Sequence, residues 1–202
     1  MTRADYARAE RLLARRDPVM NTLVRQHGAC RLASSKYGDP FEALVHAIIS
    51  QQLSSKAAAT ICARVDALFD GGPTPHAVSA SPDARLRGVG VSPQKLGYIR
   101  DLCARILSGS LVLDDLPALA DDAVVEALTE VKGIGRWTAE MFLMFRLHRP
   151  DVLPVGDLGI VKAVQRAYRL RKAPTPDRLT TIAEPWRPYR SVACWYLWAS
   201  LD

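Results

Sequence analysis
The sequence lacks long apolar runs, clustered cysteines and any regular apolar/polar alternation. Hydrophobic side chains make up 49% of its 202 residues. None of them gather into the roughly 20-residue stretch that a membrane-spanning helix needs. Met1-Thr2-Arg3-Ala4-Asp5 opens no signal peptide. The four cysteines, Cys30, Cys62, Cys103 and Cys194, are far apart and form no CxxC pair. They read as reduced, mostly core residues of a cytoplasmic protein with no membrane partner. No His, Cys and carboxylate cluster shows metal-ligand spacing, so no side-chain set points to a transition metal. Disorder is excluded by the apolar content and by a charged fraction of 24%. What remains is one globular unit or two small lobes, with 27 Lys and Arg against 21 Asp and Glu. The net charge of +6 and a pI near 9.3 favour a polyanionic partner.

Helical signals follow one another along the chain. Asp5 to Arg16 is amphipathic, with Tyr6, Ala9, Leu12 and Leu13 on one stripe. Asp17-Pro18 starts a second helix that stops near Gly28, and Cys30 to Gly38 is a polar connection. Asp39-Pro40 caps FEALVHAIISQQ, apolar nearly all round and so expected to be buried. His46 on it reads as a hydrogen-bonded core histidine. Gln51 to Ser55 breaks the pattern, with Ser54 as N-cap of a helix from Lys56 to Phe69. Short pieces follow at 75–80 and 82–87. Ser92-Pro93 then opens a helix to about Ser108, either a plain capped turn or a phosphate seat helped by Lys95. LVLDDL near 111–116 is a connection beside Pro117. Helices are expected at 121–130, 136–147, 158–168, after Thr175-Pro176 and at 189–201, about ten in all. Trp186 and Arg190 look structural.

The organising stretch is LTEVKGIGRWTAEMFLMFRLHRPDVLPVGD, Leu128 to Asp157. Gly133-Ile134-Gly135 suits a tight hairpin between two helices, because glycine tolerates positive φ and close backbone approach. Ile134 would point inward. The N–H groups of Gly133 and Gly135 would lie at a helix N-terminus, where an anion is favoured, with Arg136 and Lys132 beside them. That arrangement suits one phosphate of a nucleic-acid backbone. Pro154-Val155-Gly156-Asp157-Leu158-Gly159 then sets a carboxylate where another helix should begin.

Together with ISQQLSSKAA, GVSPQKLGYI and WRPYRSVACWYLW, these segments resemble the helix-hairpin-helix superfamily of DNA glycosylases, in its alkylpurine (3-methyladenine) glycosylase II branch, over about Phe41 to Trp198. The resemblance implies an all-α, two-lobed fold with a cleft between lobes. Residues 41–144 would form the central lobe, and 1–40 with 145–202 the other, carrying Asp157. No N-terminal β-domain has room before the shared region, and no iron–sulfur cluster is expected, since the C-terminal part holds only Cys194.

It also implies a monofunctional glycosylase of base excision repair. Such an enzyme flips an alkylated purine, 3-methyladenine or 7-methylguanine, out of double-stranded DNA and hydrolyses its glycosidic bond. Asp157 would stabilise the cationic sugar and orient water. Relatives that also cut the strand carry Lys where this chain has Trp137, so no Schiff base is expected. Trp137 and Trp198 would line the base pocket with Met141, which stands where some relatives have another aromatic. Cation–π attraction of ~0.5–2 kcal/mol would favour a cationic base. Gln52 or Leu53 would fill the gap left by the extruded base. Main-chain carbonyls of Thr129, Val131 and Ile134 would hold a monovalent Na+ or K+ ion bridging to a phosphate, with no other cofactor, and the protein would act as a monomer. The alternatives are a hairpin protein that binds DNA structure without cutting it, a helical transcription regulator, and a glycosylase for hypoxanthine, ethenoadenine or 1-methyladenine.

Overall fold
The computed structural model describes residues 3–32 and 39–201, with side chains from residue 5 onward. The polar connection expected from Cys30 to Gly38 therefore lies mostly outside the described residues. Among the described residues every regular element is helical: twelve α-helices and two short 3₁₀ segments, with no strand. The helices are α1 (Arg3–Arg16), α2 (Pro18–His27), α3 (Pro40–Ser50), α4 (Ser55–Asp66), α5 (Pro75–Ala80), α6 (Asp83–Gly88), α7 (Pro93–Leu107), α8 (Asp121–Thr129), α9 (Arg136–Phe145), α10 (Leu158–Ala167), α11 (Pro176–Ala183) and α12 (Arg190–Ala199). Three expected helices are shorter than the sequence pattern suggested, among them the last, α12, which covers Arg190–Ala199 rather than 189–201. α4 stops at Asp66 rather than Phe69 and α9 at Phe145 rather than Leu147, in each case passing into turns. LVLDDL does not extend; its second half is a 3₁₀ segment, Leu113–Ala118, containing Pro117.

The chain divides into two compact units, Met1–Ser35 with Leu143–Asp202, and Lys36–Phe142. The division falls within α9. In the discontinuous unit the core is built on Leu13, Met20, Trp186, Tyr196 and Cys194, all essentially solvent-free. A buried carboxylate organises it. Asp17 caps α2 by accepting from the N–H groups of Val19 and Met20 at 2.8 and 3.3 Å. Its other oxygen accepts from the Trp186 indole at 2.9 Å and from the Tyr168 hydroxyl. Burial and that bond push the Tyr168 hydroxyl well above its ordinary pKa. Trp186 is thus structural, as its sequence context suggested. Arg190 is too: it grips Asp151 through Nε at 2.8 Å and Nη2 at 3.0 Å. Ser191 donates to Arg149 O and accepts from Val152 N–H. These bonds pin the loop that leads to Asp157.

In the continuous unit α3 is buried through Phe41, Ala43, Leu44, Val45, Ile48 and Ile49. His46 is half-buried and hydrogen-bonded to Asp66 at 2.8 Å. Arg100 on α7 ties down the α5–α6 connection, bonding Ser79 O at 3.1 Å and Asp83 at 2.6 Å.

Candidate nucleic-acid and active site
The glycine hairpin lies wholly in the continuous unit. Val131 N–H returns to Leu128 O and Ile134 N–H to Val131 O, which closes the turn after α8. Ile134 is buried at its centre. Gly133 has φ +81°, and a Cβ there would fall 2.1 Å from the Tyr98 ring, so both conformation and space demand glycine. Among the described residues nothing accepts from the N–H groups of Gly133 or Gly135. Lys132 is exposed; its backbone N–H donates to Asp101 at 2.9 Å, and its ammonium lies 3.6 Å from the same carboxylate. Burial pushes the Asp101 carboxyl up, but the Lys132 N–H and Arg105 outweigh it and hold its pKa below the ordinary value. Arg136 opens α9, mostly exposed and paired with Glu140 at 3.0 Å.

The turn 51–54 is braced against this hairpin by a residue that sequence reasoning passed over. Gln51 donates its amide to Gly133 O at 2.8 Å, although 82 residues separate the two. Gln52, at φ +58°, and Leu53, 39% exposed, stand out from the turn. Ser54 caps α4 as expected, accepting from Ala57 N–H. Lys95, expected to help hold a phosphate, has its ammonium engaged within the fold. Its ammonium turns inward and donates to Ile49 O and Gln51 O, each at 2.7 Å, closing the end of α3. Desolvation lowers its pKa. The turn holding Gln52 and Leu53 is thus set by two internal side chains. No local pattern announces either bond.

Asp157 lies in the other unit, at the N-terminus of α10. The loop before it turns through Val155 N–H to Leu153 O and Asp157 N–H to Pro154 O. One carboxylate oxygen, Oδ1, accepts from Ile160 N–H at 2.7 Å and from the Trp198 indole N–H at 3.0 Å. The residue is only 8% exposed. Gly159 makes room for this arrangement, since a Cβ there would lie 3.0 Å from Oδ1 and 3.2 Å from the indole. Trp198 also stacks on Phe145, centroids 5.9 Å apart and planes 25° from parallel. Phe145 and Gly159 carried no sequence signal beyond their place in long motifs. Trp137, at the start of α9, is 48% exposed, and Met141 is half-buried.

The carbonyls of Thr129 and Ile134 accept from no described N–H, while that of Val131 takes Ile134. One cluster departs from the sequence reading, which found no ligand spacing: Glu42, His46 and Asp66 bring one ligand atom each within 4.8 Å of one another. No described helix is long and apolar enough to cross a membrane.

Described residues that are all helical, with a glycine hairpin and an aspartate capping a later helix, have the arrangement of a helix-hairpin-helix protein. The chain belongs to the HhH-GPD superfamily of base excision DNA repair proteins, which matches residues 45–188. It is 37% identical to DNA-3-methyladenine glycosylase 1 of Schizosaccharomyces pombe over 163 residues, 79% of this chain and 72% of that one. It is 30% identical over 199 residues to the alkylbase DNA glycosidase-like protein mag2 of the same organism, covering 96% and 93% of the two chains. The solved structure of the Schizosaccharomyces pombe 3-methyladenine DNA glycosylase in complex with abasic DNA superimposes with a TM-score of 0.86. Its identity is 34%, and 96% of each chain is covered.

Proposed function
We propose that the protein is a monofunctional DNA glycosylase of base excision repair that releases alkylated purines, 3-methyladenine and 7-methylguanine among them, from duplex DNA. The observation that carries this reading is the carboxylate of Asp157, fixed at a helix N-terminus by Ile160 N–H and by the indole of Trp198.

Breaking an N-glycosidic bond builds positive charge on the sugar. A preorganised carboxylate stabilises that charge without reorganising, and orients the water that attacks. A base made cationic by alkylation leaves readily, so one acid group suffices. Trp137 in the continuous unit is exposed and the discontinuous unit holds the Trp198–Phe145 stack; each is an electron-rich surface, and cation–π attraction at either favours such a base. Trp137 has no amine, so the product is an abasic site rather than a cut strand. Gly133 and Gly135 N–H groups, with Lys132 and Arg136, take a backbone phosphate. The carbonyls of Thr129, Val131 and Ile134 would hold a Na+ or K+ ion there, which would supply positive charge to that phosphate. Gln52 or Leu53 enters the stack in place of the extruded base. The protein acts as a monomer.

The test is base release from a panel of lesion duplexes, with and without alkali, by the protein and by Asp157→Asn. Release should fall by about 10²- to 10³-fold, the scale of losing a preorganised electrostatic stabiliser. Binding to DNA should persist, and breaks should appear only after alkali. Equal release by Asp157→Asn would take the chemistry away from Asp157, and no release by the wild type would leave a protein that only binds DNA.

A further inference from the structure
The net charge of +6 is unevenly shared. The continuous unit, which holds the hairpin, has 10 Lys and Arg against 13 Asp and Glu, a net of −3. The discontinuous unit has 17 against 8, a net of +9. The whole positive excess thus lies outside the hairpin's unit. Its densest exposed run is on and after α10: Lys162, Arg166, Arg169, Arg171 and Lys172. All five are exposed, and none has a side-chain partner among the described residues.

The run is aligned with the candidate site. Leu158, Lys162 and Arg166 recur every four residues, so they form one exposed stripe of α10 that begins beside Asp157. At 1.5 Å rise per residue, Lys162 and Arg166 lie about 7 and about 14 Å along the helix from Asp157. One DNA strand presents a phosphate about every 3.4 Å of duplex axis, so those cations reach backbone roughly two to four base pairs from the nucleotide served.

Arg169 supplies a second observation. α10 ends with Arg169 N–H on Arg166 O and Leu170 N–H on Gln165 O, the paired bonds of a helix stop that puts one residue in the left-handed region. That residue is Arg169, at φ +52°, where glycine is the favoured choice. An arginine at a glycine position, without a side-chain partner among the described residues, is suited to an outside anion.

We propose that the exposed stripe of α10 and the 169–172 turn form a phosphate track for undamaged duplex flanking the lesion, and that this track rather than the hairpin sets the salt dependence of binding. The proposal rests on duplex DNA being the partner, but not on base release.

The measurement is the dependence of log K on log salt for an undamaged duplex. It compares the protein, the triple variant Lys162→Gln/Arg166→Gln/Arg171→Gln, and a triple variant of exposed α1 arginines, Arg8→Gln/Arg11→Gln/Arg15→Gln. Losing three phosphate contacts should flatten the slope by about 2.7. Between 50 and 200 mM salt, the wild type should then lose roughly fortyfold more affinity than the α10 variant. The α1 variant removes the same charge and should leave the slope nearly unchanged. A second reading uses Arg169→Gly, which should raise Tm while weakening DNA binding at low salt. An unchanged slope in the α10 variant, an equal change in the α1 variant, or full binding by Arg169→Gly overturns the track. Absence of base release by the wild type would refute the glycosylase reading while leaving these slopes interpretable.

Discussion

Gly159→Ala probes how tightly the proposed chemistry depends on the Asp157–Trp198 pair. The added Cβ would stand 3.0 Å from Asp157 Oδ1 and 3.2 Å from the indole Cδ1 and Nε1. The carboxylate, the indole, or both must give by a few tenths of an ångström. Folding should change little, because alanine in a helix recovers up to ~1 kcal/mol over glycine, offsetting part of the crowding. Chemistry should change more. A misplacement of about 1 Å costs on the order of 10²-fold, so a few tenths should slow release roughly three- to tenfold. Single-turnover base release at saturating enzyme reads the rate, and urea unfolding reads stability. Gly156→Ala is the control, since its Cβ would meet nothing within 4 Å. Wild-type release by Gly159→Ala, at unchanged stability, would refute the claim that the indole-held position of the carboxylate matters.

Three further outcomes are expected. Gly133→Ala must relieve both a left-handed backbone and a 2.1 Å approach to the Tyr98 ring, so urea unfolding should show a loss of about 2 kcal/mol or more, with weaker DNA binding. Lys95→Met leaves two main-chain carbonyls at the end of α3 without their ammonium, and calorimetry should show a loss of about 1–3 kcal/mol. Its salt slope on DNA should match that of the wild type, because the ammonium faces inward. Burial pushes the Cys30 thiol up to about 12 and the Cys103 thiol to about 11. Both values are raised, so their contribution is full below the unfolded value near 9.0 and is lost as pH rises through the folded values. Thermal unfolding from pH 8 to 11 should show falling stability, and a double Cys30→Ser/Cys103→Ser variant should lose less of its own stability across that range.

Much of the fold was legible because helix starts are local. Asp17, Asp39, Thr74, Ser92 and Thr175 each precede a proline, and each accepts from an N–H two or three residues on. The hairpin was equally plain, since two glycines around one apolar residue leave few alternatives. Helix ends were less so: α4 and α9 stop early where apolar residues continue into turns. Contacts across sequence were not legible. Gln51 reaching Gly133, and Lys95 reaching Ile49 and Gln51, involve ordinary polar residues whose partners lie dozens of residues away. The internal bonds of Lys95 were hidden for that reason. A lysine after a capped turn looks solvent-facing until the end of α3 is known to lie within its reach. The Glu42–His46–Asp66 cluster escaped likewise, because one of its three members sits on a different helix.

Asp157 shows where local reading ends and geometry adds something. As a cap it needs only one oxygen near Ile160 N–H, a task that serine or asparagine performs about as well. Two features exceed that need. A tryptophan 41 residues later delivers its indole N–H to the same oxygen, and the second helical residue is a glycine that costs helix propensity while leaving the pair just enough room. A cap alone explains neither. Both follow if the position of the carboxylate, and not merely the start of α10, is what the surroundings hold fixed. The same logic separates Asp157 from Asp17, which is also a cap and also receives a tryptophan indole. At Asp17 the indole reaches the oxygen that does not cap α2 and that also takes the Tyr168 hydroxyl, whereas at Asp157 the capping N–H and the indole share Oδ1. Exchanging the two environments is therefore informative. Trp186→Phe should lower stability with release following the folded fraction, whereas Trp198→Phe should lower release beyond any change in stability.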